Sequence, residues 1–179
     1  MKTFPPTAFT TMPWKNGGGI THEILREERL GKLLWRLSIA DVASDGPFSL
    51  FPGLSRILTV IEGNGLVLST LDRELQALPL QPIAFSGDWP IESRRIRGNV
   101  RDFNVIFDAA AVAVRVSIEN AEAGLGVAAR DGETCFVLPL GEAWTESRAL
   151  SPLTLIEPET GAVNIVSSHP CVKTVFRLI

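Results

Sequence analysis

The segment Arg56-Ile57-Leu58-Thr59-Val60-Ile61-Glu62-Gly63-Asn64-Gly65-Leu66-Val67-Leu68 sets the fold class. Two runs of β-branched and aliphatic residues flank a Gly/Asn cluster, which reads as two strands around a tight turn, a β-hairpin. The same pattern extends in both directions. In Leu34–Ala40, Trp35, Leu37 and Ile39 share one face while Arg36 and Ser38 take the other, the period-2 signature of a strand with unlike faces. Val112 to Ile118 alternates in the same way, and Phe103–Phe107, Glu133–Leu140, Leu153–Ile156, Val163–Val166 and Val172–Leu178 read as further strands. Pro82–Phe85 leads into a turn at Ser86-Gly87-Asp88. Turn signals between short strands predict an all-β sandwich or barrel rather than βαβ units. With 12 prolines and 15 glycines, few windows are left for helices. The best short candidates are Thr21 to Glu28 and one turn at Gly141 to Glu146.

The chain has 179 residues, 45 % apolar and 21 % charged, the balance of a folded domain. A net charge of −3 argues against a phosphate backbone as partner, so nucleic acid is not expected. No run approaches the roughly 20 apolar residues of a membrane-spanning helix, and Met1-Lys2-Thr3-Phe4-Pro5-Pro6 lacks a signal-peptide core. The expectation is a cytoplasmic protein without a membrane partner, with a homodimer left open. Cys135 and Cys171 sit among apolar neighbours and read as two buried thiols.

Three segments stand out together. They are Met12-Pro13-Trp14-Lys15-Asn16-Gly17-Gly18-Gly19-Ile20-Thr21-His22-Glu23-Ile24, then Trp35-Arg36-Leu37-Ser38-Ile39-Ala40 continuing through Asp45-Gly46-Pro47-Phe48-Ser49-Leu50-Phe51-Pro52-Gly53-Leu54-Ser55-Arg56, and Phe85-Ser86-Gly87-Asp88-Trp89-Pro90 continuing to Arg101-Asp102-Phe103-Asn104-Val105-Ile106. In order and spacing they resemble the HutD/Ves family. The resemblance is strong over residues 5 to 108 and rests on length and β character beyond. It implies a bicupin, two cupin-like β-barrels packed as one unit with few short helices. A motif-bearing half would span 1–108 and a second half 109–179, with strand exchange between them. It also implies a link to histidine utilisation or a stress response.

A cupin metal site takes His and Glu ligands, two of the histidines one residue apart. Here Phe48-Ser49-Leu50-Phe51-Pro52 stands in that place, and the only histidines are His22 and His169. No metal and no cofactor are expected. His169, before Pro170, reads as an exposed loop residue.

Arg36 and Arg56 lie in apolar strands. A guanidinium there must reach solvent, pair internally with Asp102 or Glu23, or hold a ligand carboxylate in a two-pronged contact. The internal pair suits Arg36 better, and both readings stay open for Arg56. Asp102 and Asn104, two apart on a strand, point the same way. Asp102 could orient a ligand, fix an arginine, or act as a general base. Gly17-Gly18-Gly19 reads as a tight turn, or as a turn that also walls a pocket with backbone N–H groups near an anion. Trp14, Trp35 and Trp89 offer flat walls for a planar ligand or ordinary core packing. Arg94, Arg95, Arg97 and Arg101 read as a solvated edge. The candidate ligand-binding set is therefore Arg56, Asn104, Asp102, Lys15, Asn16, Gly18, Arg36, Trp14 and His22. The expected function is non-catalytic binding of a small carboxylate metabolite; the resemblance suggests urocanate or formylglutamate. The alternative is a metal-independent isomerase or hydrolase using Asp102 or His22.

Overall fold

The computed structural model describes residues 1–15, 17–128, 130–159 and 161–179. The chain divides into two units, Thr10–Ala109 and a discontinuous one made of Met1–Phe9 with Ala110–Ile179. The first strand, β1 (Lys2–Phe4), belongs to the discontinuous unit. The continuous unit holds β2 (Thr10–Pro13), β3 (Gly19–Arg29), β4 (Lys32–Val42), β5 (Gly46–Pro47), β6 (Ser55–Glu62), β7 (Leu66–Ser69), β8 (Glu74–Ala77), β9 (Ile83–Ser86), β10 (Glu92–Arg95) and β11 (Val100–Phe107). The remainder is β12 (Val112–Glu119), β13 (Leu125–Ala128), β14 (Glu133–Pro139), β15 (Ala143–Thr145), β16 (Ala149–Leu150), β17 (Leu155–Glu157), β18 (Ala162–Val166) and β19 (Cys171–Leu178). Among the described residues the only helix is a 3₁₀ turn, Pro6–Ala8, so the protein is all-β.

In the continuous unit the strands form a six-stranded antiparallel sheet, β2-β3-β4-β11-β6-β9, and a four-stranded sheet, β5-β10-β7-β8. Neither closes on itself. Their apolar faces meet in one cluster: Ala40, Leu58, Val60 and Phe85 from the larger sheet against Leu66, Leu68 and Ala77 from the smaller. In the other unit, β1-β17-β14-β19-β12 faces β13-β18-β15-β16. Its core joins Cys135, Val137, Ile156 and Cys171 to Val127, Ala143, Leu150 and Ile165. Both thiols are free and buried; burial pushes that of Cys171 up to about 11, so it stays protonated.

Two expectations fail. First, β6 and β7 do not pair. The Gly63-Asn64-Gly65 turn is present, with Gly63 at φ 95° and Gly65 at φ 115°, but it carries the chain from the larger sheet to the smaller. β6 pairs β11 and β9, while β7 pairs β10 and β8. A Cβ at Gly63 would lie 2.5 Å from the Asn99 carbonyl, and one at Gly65 2.6 Å from the Ala77 carbonyl. The glycines serve a crossing at close quarters rather than a two-strand ladder. Second, Thr21–Glu28 is not helical but lies inside β3, and Ala143–Thr145 inside Gly141–Glu146 is β15. In β3 the register with β4 moves from Glu23↔Ser38 to Leu25↔Leu37, leaving Ile24 as a bulge. That extra residue breaks the alternation: Ile20 is 38 % exposed and Ile24 buried, although an even spacing would put both on one face of a regular strand.

The β3–β4 turn carries a local conflict. Leu30 and Gly31 both take positive φ, 51° and 74°, between Arg29 and its partner Lys32. A two-residue turn of this kind favours Asn-Gly, and Leu30 is 96 % exposed, so no packing offsets its strain. Leu30→Asn is expected to stabilise the protein by about 1 kcal/mol, read as a higher urea midpoint with an unchanged slope.

Candidate functional site

Strand alternation and register decide which side chains meet inside the Thr10–Ala109 unit. Arg36 on β4 lies opposite Ile106 on β11, which lies opposite Arg56 on β6. The next inward-facing row is Ser38, Asn104 and Leu58; the one after is Ala40, Asp102 and Val60. On β3, Thr21 stands across from Ala40 and Glu23 across from Ser38. One face of the larger sheet thus carries a polar patch beside its apolar core. Over that patch lies a cavity of about 570 Å³, lined by Arg36, Ser38, Arg56, Asp102 and Asn104 and walled by Met12, Trp14, Lys15, Phe48 and Phe51.

Arg56 is buried, at 7 % exposure. Its Nη2 donates to Asn104 Oδ1 at 2.8 Å, and its Nε has no partner. The guanidinium carbon lies over the rings of Phe48, Phe51 and Phe85 at 5.1, 5.4 and 5.1 Å. The ring faces offset part of its lost hydration. Among the described residues no Asp or Glu forms an ion pair with it. Burial lowers its pKa to about 10; the Asp102 charge works against that fall and the Arg36 charge adds to it.

Asp102 is 1 % exposed. Its Oδ1 accepts a hydrogen bond from Asn104 Nδ2, and its Oδ2 has no partner. Burial raises its pKa to about 7, against the pull of Arg56 and of the Asn104 bond, with the Asp41 charge adding to the rise. Arg56, Asn104 and Asp102 form a polarised line, each amide or guanidinium N–H donating to the next oxygen. Arg36 is paired internally, its Nε 2.6 Å from Glu23 Oε2. The contact is an ion pair rather than an aligned hydrogen bond. Asp102, the other candidate partner, is not the one it takes.

The aromatic wall is set by glycines. A Cβ at Gly19 would sit 2.5 Å from the Asp41 carbonyl and 3.0 Å from the Trp14 ring, so only glycine lets the loop close here. Trp14 is then fixed by its own N–H to the Gly19 carbonyl (2.9 Å) and by its indole N–H to Thr21 Oγ1 (2.8 Å). It meets Phe48 edge-on at 6.5 Å. A Cβ at Gly87 would lie 2.5 Å from the Phe51 carbonyl. The amide of Phe51 donates to the Gly87 carbonyl at 2.9 Å, which holds Phe51 in place over Arg56.

Of the nine candidate residues, the structure brings six to the cavity: Trp14, Lys15, Arg36, Arg56, Asp102 and Asn104. Asn16 lies outside the described residues. Gly18 and His22 are not among the lining residues. The Gly18 carbonyl accepts the amides of Ala43 and Ser44 at 2.9 and 3.1 Å, and the Gly17 amide donates to the Trp14 carbonyl. The motif's backbone is engaged in holding its own turn. His22 follows Thr21 and so takes the other face of β3. There its Nε2 lies 3.0 Å from Asp41 Oδ2 and its Nδ1 3.0 Å from Thr11 Oγ1. Asp41 also accepts from Arg101 Nε at 2.5 Å, and Arg95 contacts Asp45. These two arginines are tied down rather than solvated. Trp89 packs on the apolar cluster with Arg73 over its face at 4.5 Å, and Trp35 lies on the strand face opposite Arg36. His169 is exposed. Among the described residues, no three His, Cys, Asp or Glu side chains come together as a metal site.

Sequence reasoning missed Phe48, Phe51 and Phe85 around Arg56, and Thr21 and Ser38 in the lining of the cavity. The Pro-Phe-Ser-Leu-Phe-Pro run carries the signal for Phe48 and Phe51 in its two rings, while Phe85 has no such mark.

The HutD family profile matches residues 7–160. An uncharacterized 21.2 kDa protein in the hutC 3' region of Pseudomonas putida is 44 % identical over 102 residues, covering 55 % of this chain and 54 % of that protein. The chain thus spans about half the length of that curated relative. The structure of HutD from Pseudomonas fluorescens SBW25 (formate condition) superposes with a TM-score of 0.82 over 99 % of this chain and 98 % of that one, at 31 % identity. In fold alone the likeness reaches a cupin 2 conserved barrel domain protein from Leptotrichia buccalis, with a TM-score of 0.53 at 9 % identity over 90 % of this chain and 89 % of that one. A profile match spanning most of the sequence and a 31 % identical structure that superposes over 99 % of it agree: the chain belongs to the HutD family.

Proposed function

We propose that the protein binds a small carboxylate metabolite in the cavity above Arg56 and acts without catalysis as a modulator of histidine utilisation. The observation that carries this reading is a buried guanidinium lining a cavity with no internal ion-pair partner among the described residues. Burying a cation alone is costly, and a ligand carboxylate supplies the missing charge through two parallel N–H···O contacts. The relative in the hutC 3' region supports the pathway. Urocanate and formylglutamate are the first ligands to try. We read the two units as two cupin-type barrels and the protein as cytoplasmic.

A thermal-shift series tests the reading. A ligand that binds only the native state stabilises it by about 2.7 kcal/mol at a hundred times its dissociation constant, a rise of several degrees. No rise with any histidine-pathway acid at millimolar concentration rules the reading out. A metal-independent enzyme is the second reading, favoured by one observation. Asp102 lines the cavity with a pKa of about 7, suited to general acid or base work. Turnover of a bound acid, lost in Asp102→Asn, would establish it.

A further inference from the structure

The two units repeat one plan. The order β4-β11-β6-β9 in the larger sheet of Thr10–Ala109 recurs as β12-β19-β14-β17, and β5-β10-β7-β8 recurs as β13-β18-β15-β16. A shared backbone feature fixes the alignment. Leu80 and Leu153 each follow a proline, take φ 59° and 60°, and donate their amides at 2.9 Å to the carbonyls of Val60 and Pro139. With Val60 matched to Pro139, the strand registers match the rest. Arg56 and Asp102 have Cys135 and Cys171 as counterparts, both buried in the core of the discontinuous unit. Arg36, Ser38 and Asn104 have Arg115, Ser117 and Lys173.

The centre of the polar patch has thus become core in the discontinuous unit, while its flank stays polar and gains a cation. Lys173 stands directly opposite Ser117, and Arg115 lies diagonally one inward row away. Diagonal neighbours on one sheet face are about 7–8 Å apart, within reach of two long side chains converging on one group. Arg36 has its acid, Glu23, on β3. β12 is the edge of its sheet, so Arg115 has no such neighbour. The acids on its own face, Glu119 and Glu133, do not stand in. Glu119 accepts from Ser117 Oγ at 2.6 Å, and among the described residues neither acid forms an ion pair with Arg115 or Lys173. Arg115 is exposed and Lys173 half-buried, so solvent reaches both.

We propose that the β12–β19 face of the discontinuous unit is a second binding site, where Arg115 and Lys173 together hold the oxyanion of a carboxylate or phosphate group. The site is independent of the cavity above Arg56 and stands whether or not that cavity takes a ligand.

Titrations of the full chain with inorganic phosphate and, separately, with acetate test it, at neutral pH and low ionic strength. The readout is the ¹H–¹⁵N shift of the Ser117 and Lys173 amides. A saturable shift is expected with at least one of the two, and the tighter binder identifies the group. Arg115→Gln, at an exposed position that spares the fold, should weaken binding at least about fivefold, and Lys173→Gln likewise. Arg56→Met should leave it unchanged. No saturable shift with either anion beyond that given by sodium chloride overturns the proposal. So does a shift that either glutamine variant keeps in full, or one that Arg56→Met removes, because the anion then sits elsewhere.

Discussion

Arg56→Met is expected to weaken carboxylate binding about a hundredfold or more while leaving the apoprotein within about 2 kcal/mol of wild-type stability. The loss in affinity follows from removing two charge-assisted contacts from a buried guanidinium, about 3 kcal/mol together. The small stability effect follows from opposing changes. Methionine carries no buried charge, and its thioether packs well against the rings of Phe48, Phe51 and Phe85. Against this, Asn104 Oδ1 loses its donor, about 1 kcal/mol, and Asp102 loses a nearby cation and takes up a proton more readily. Calorimetric titration and urea unfolding of the same preparation give both quantities. A protein that loses several kcal/mol without ligand would mark Arg56 as a structural centre. Retained affinity would show that the anion sits elsewhere.

Stability is expected to fall as pH rises from about 4 to about 7, by at most about 4 kcal/mol, and this slope should vanish in Asp102→Asn. Asp102 titrates near 3.8 when unfolded and near 7 in the native protein, because burial penalises its charge. Between those values the native state holds a proton the unfolded chain has already lost, so raising the pH favours unfolding. Above about 7 both states are ionised and the effect is complete. Other carboxylates act in the opposite sense and at lower pH. Asp41 is partly buried, which opposes ionisation, but hydrogen bonds from Arg101 and His22 prevail and hold it below its ordinary value. Asp45 is lowered by the backbone and side-chain N–H groups of Arg95. Their contributions are present above about pH 4 and lost below it. The wild-type profile should therefore peak near pH 4 to 5. Asn at position 102 can still accept from Asn104 yet cannot titrate, so it isolates the one group. Parallel wild-type and variant profiles would show that Asp102 is not the source of the slope.

The strands that alternate cleanly could be read from the sequence. The middle of β4 alternates Trp35, Leu37 and Ile39 with Arg36 and Ser38, β12 alternates Val112, Val114, Val116 and Ile118 with Ala113, Arg115 and Ser117, and a period of two has one reading. The polar floor of the cavity was legible for the same reason: Arg36, Arg56, Asp102 and Asn104 interrupt apolar strands, and a buried polar group calls for a partner. The sheet switch at Gly63-Asn64-Gly65 was not legible. Turn chemistry reports that the chain reverses but not which ladders its two strands join. The bulge at Ile24 hid β3, because a single inserted residue shifts every later side chain to the other face. Phe48, Phe51 and Phe85 were hidden by their chemistry, since phenylalanine in a β protein is core by default and only coordinates put three rings around one cation. His22 lies beside the triglycine motif in sequence, yet it follows Thr21 on β3 and neighbours on a strand face opposite ways; Gly18, in the turn before β3, turns its carbonyl to the amides of Ala43 and Ser44.

The division of the chain has a temporal side. Thr3 of β1 is matched with Ile156 of β17. At translation rates of 5–20 residues per second, that opening segment waits on the order of ten seconds before its ladder partner exists. Throughout that interval Thr10–Ala109 can collapse on its own, as its strands pair only among themselves. All the residues that line the cavity are therefore synthesised before β12 to β19, and a folded Thr10–Ala109 unit would present that cavity to solvent while those strands are still to come.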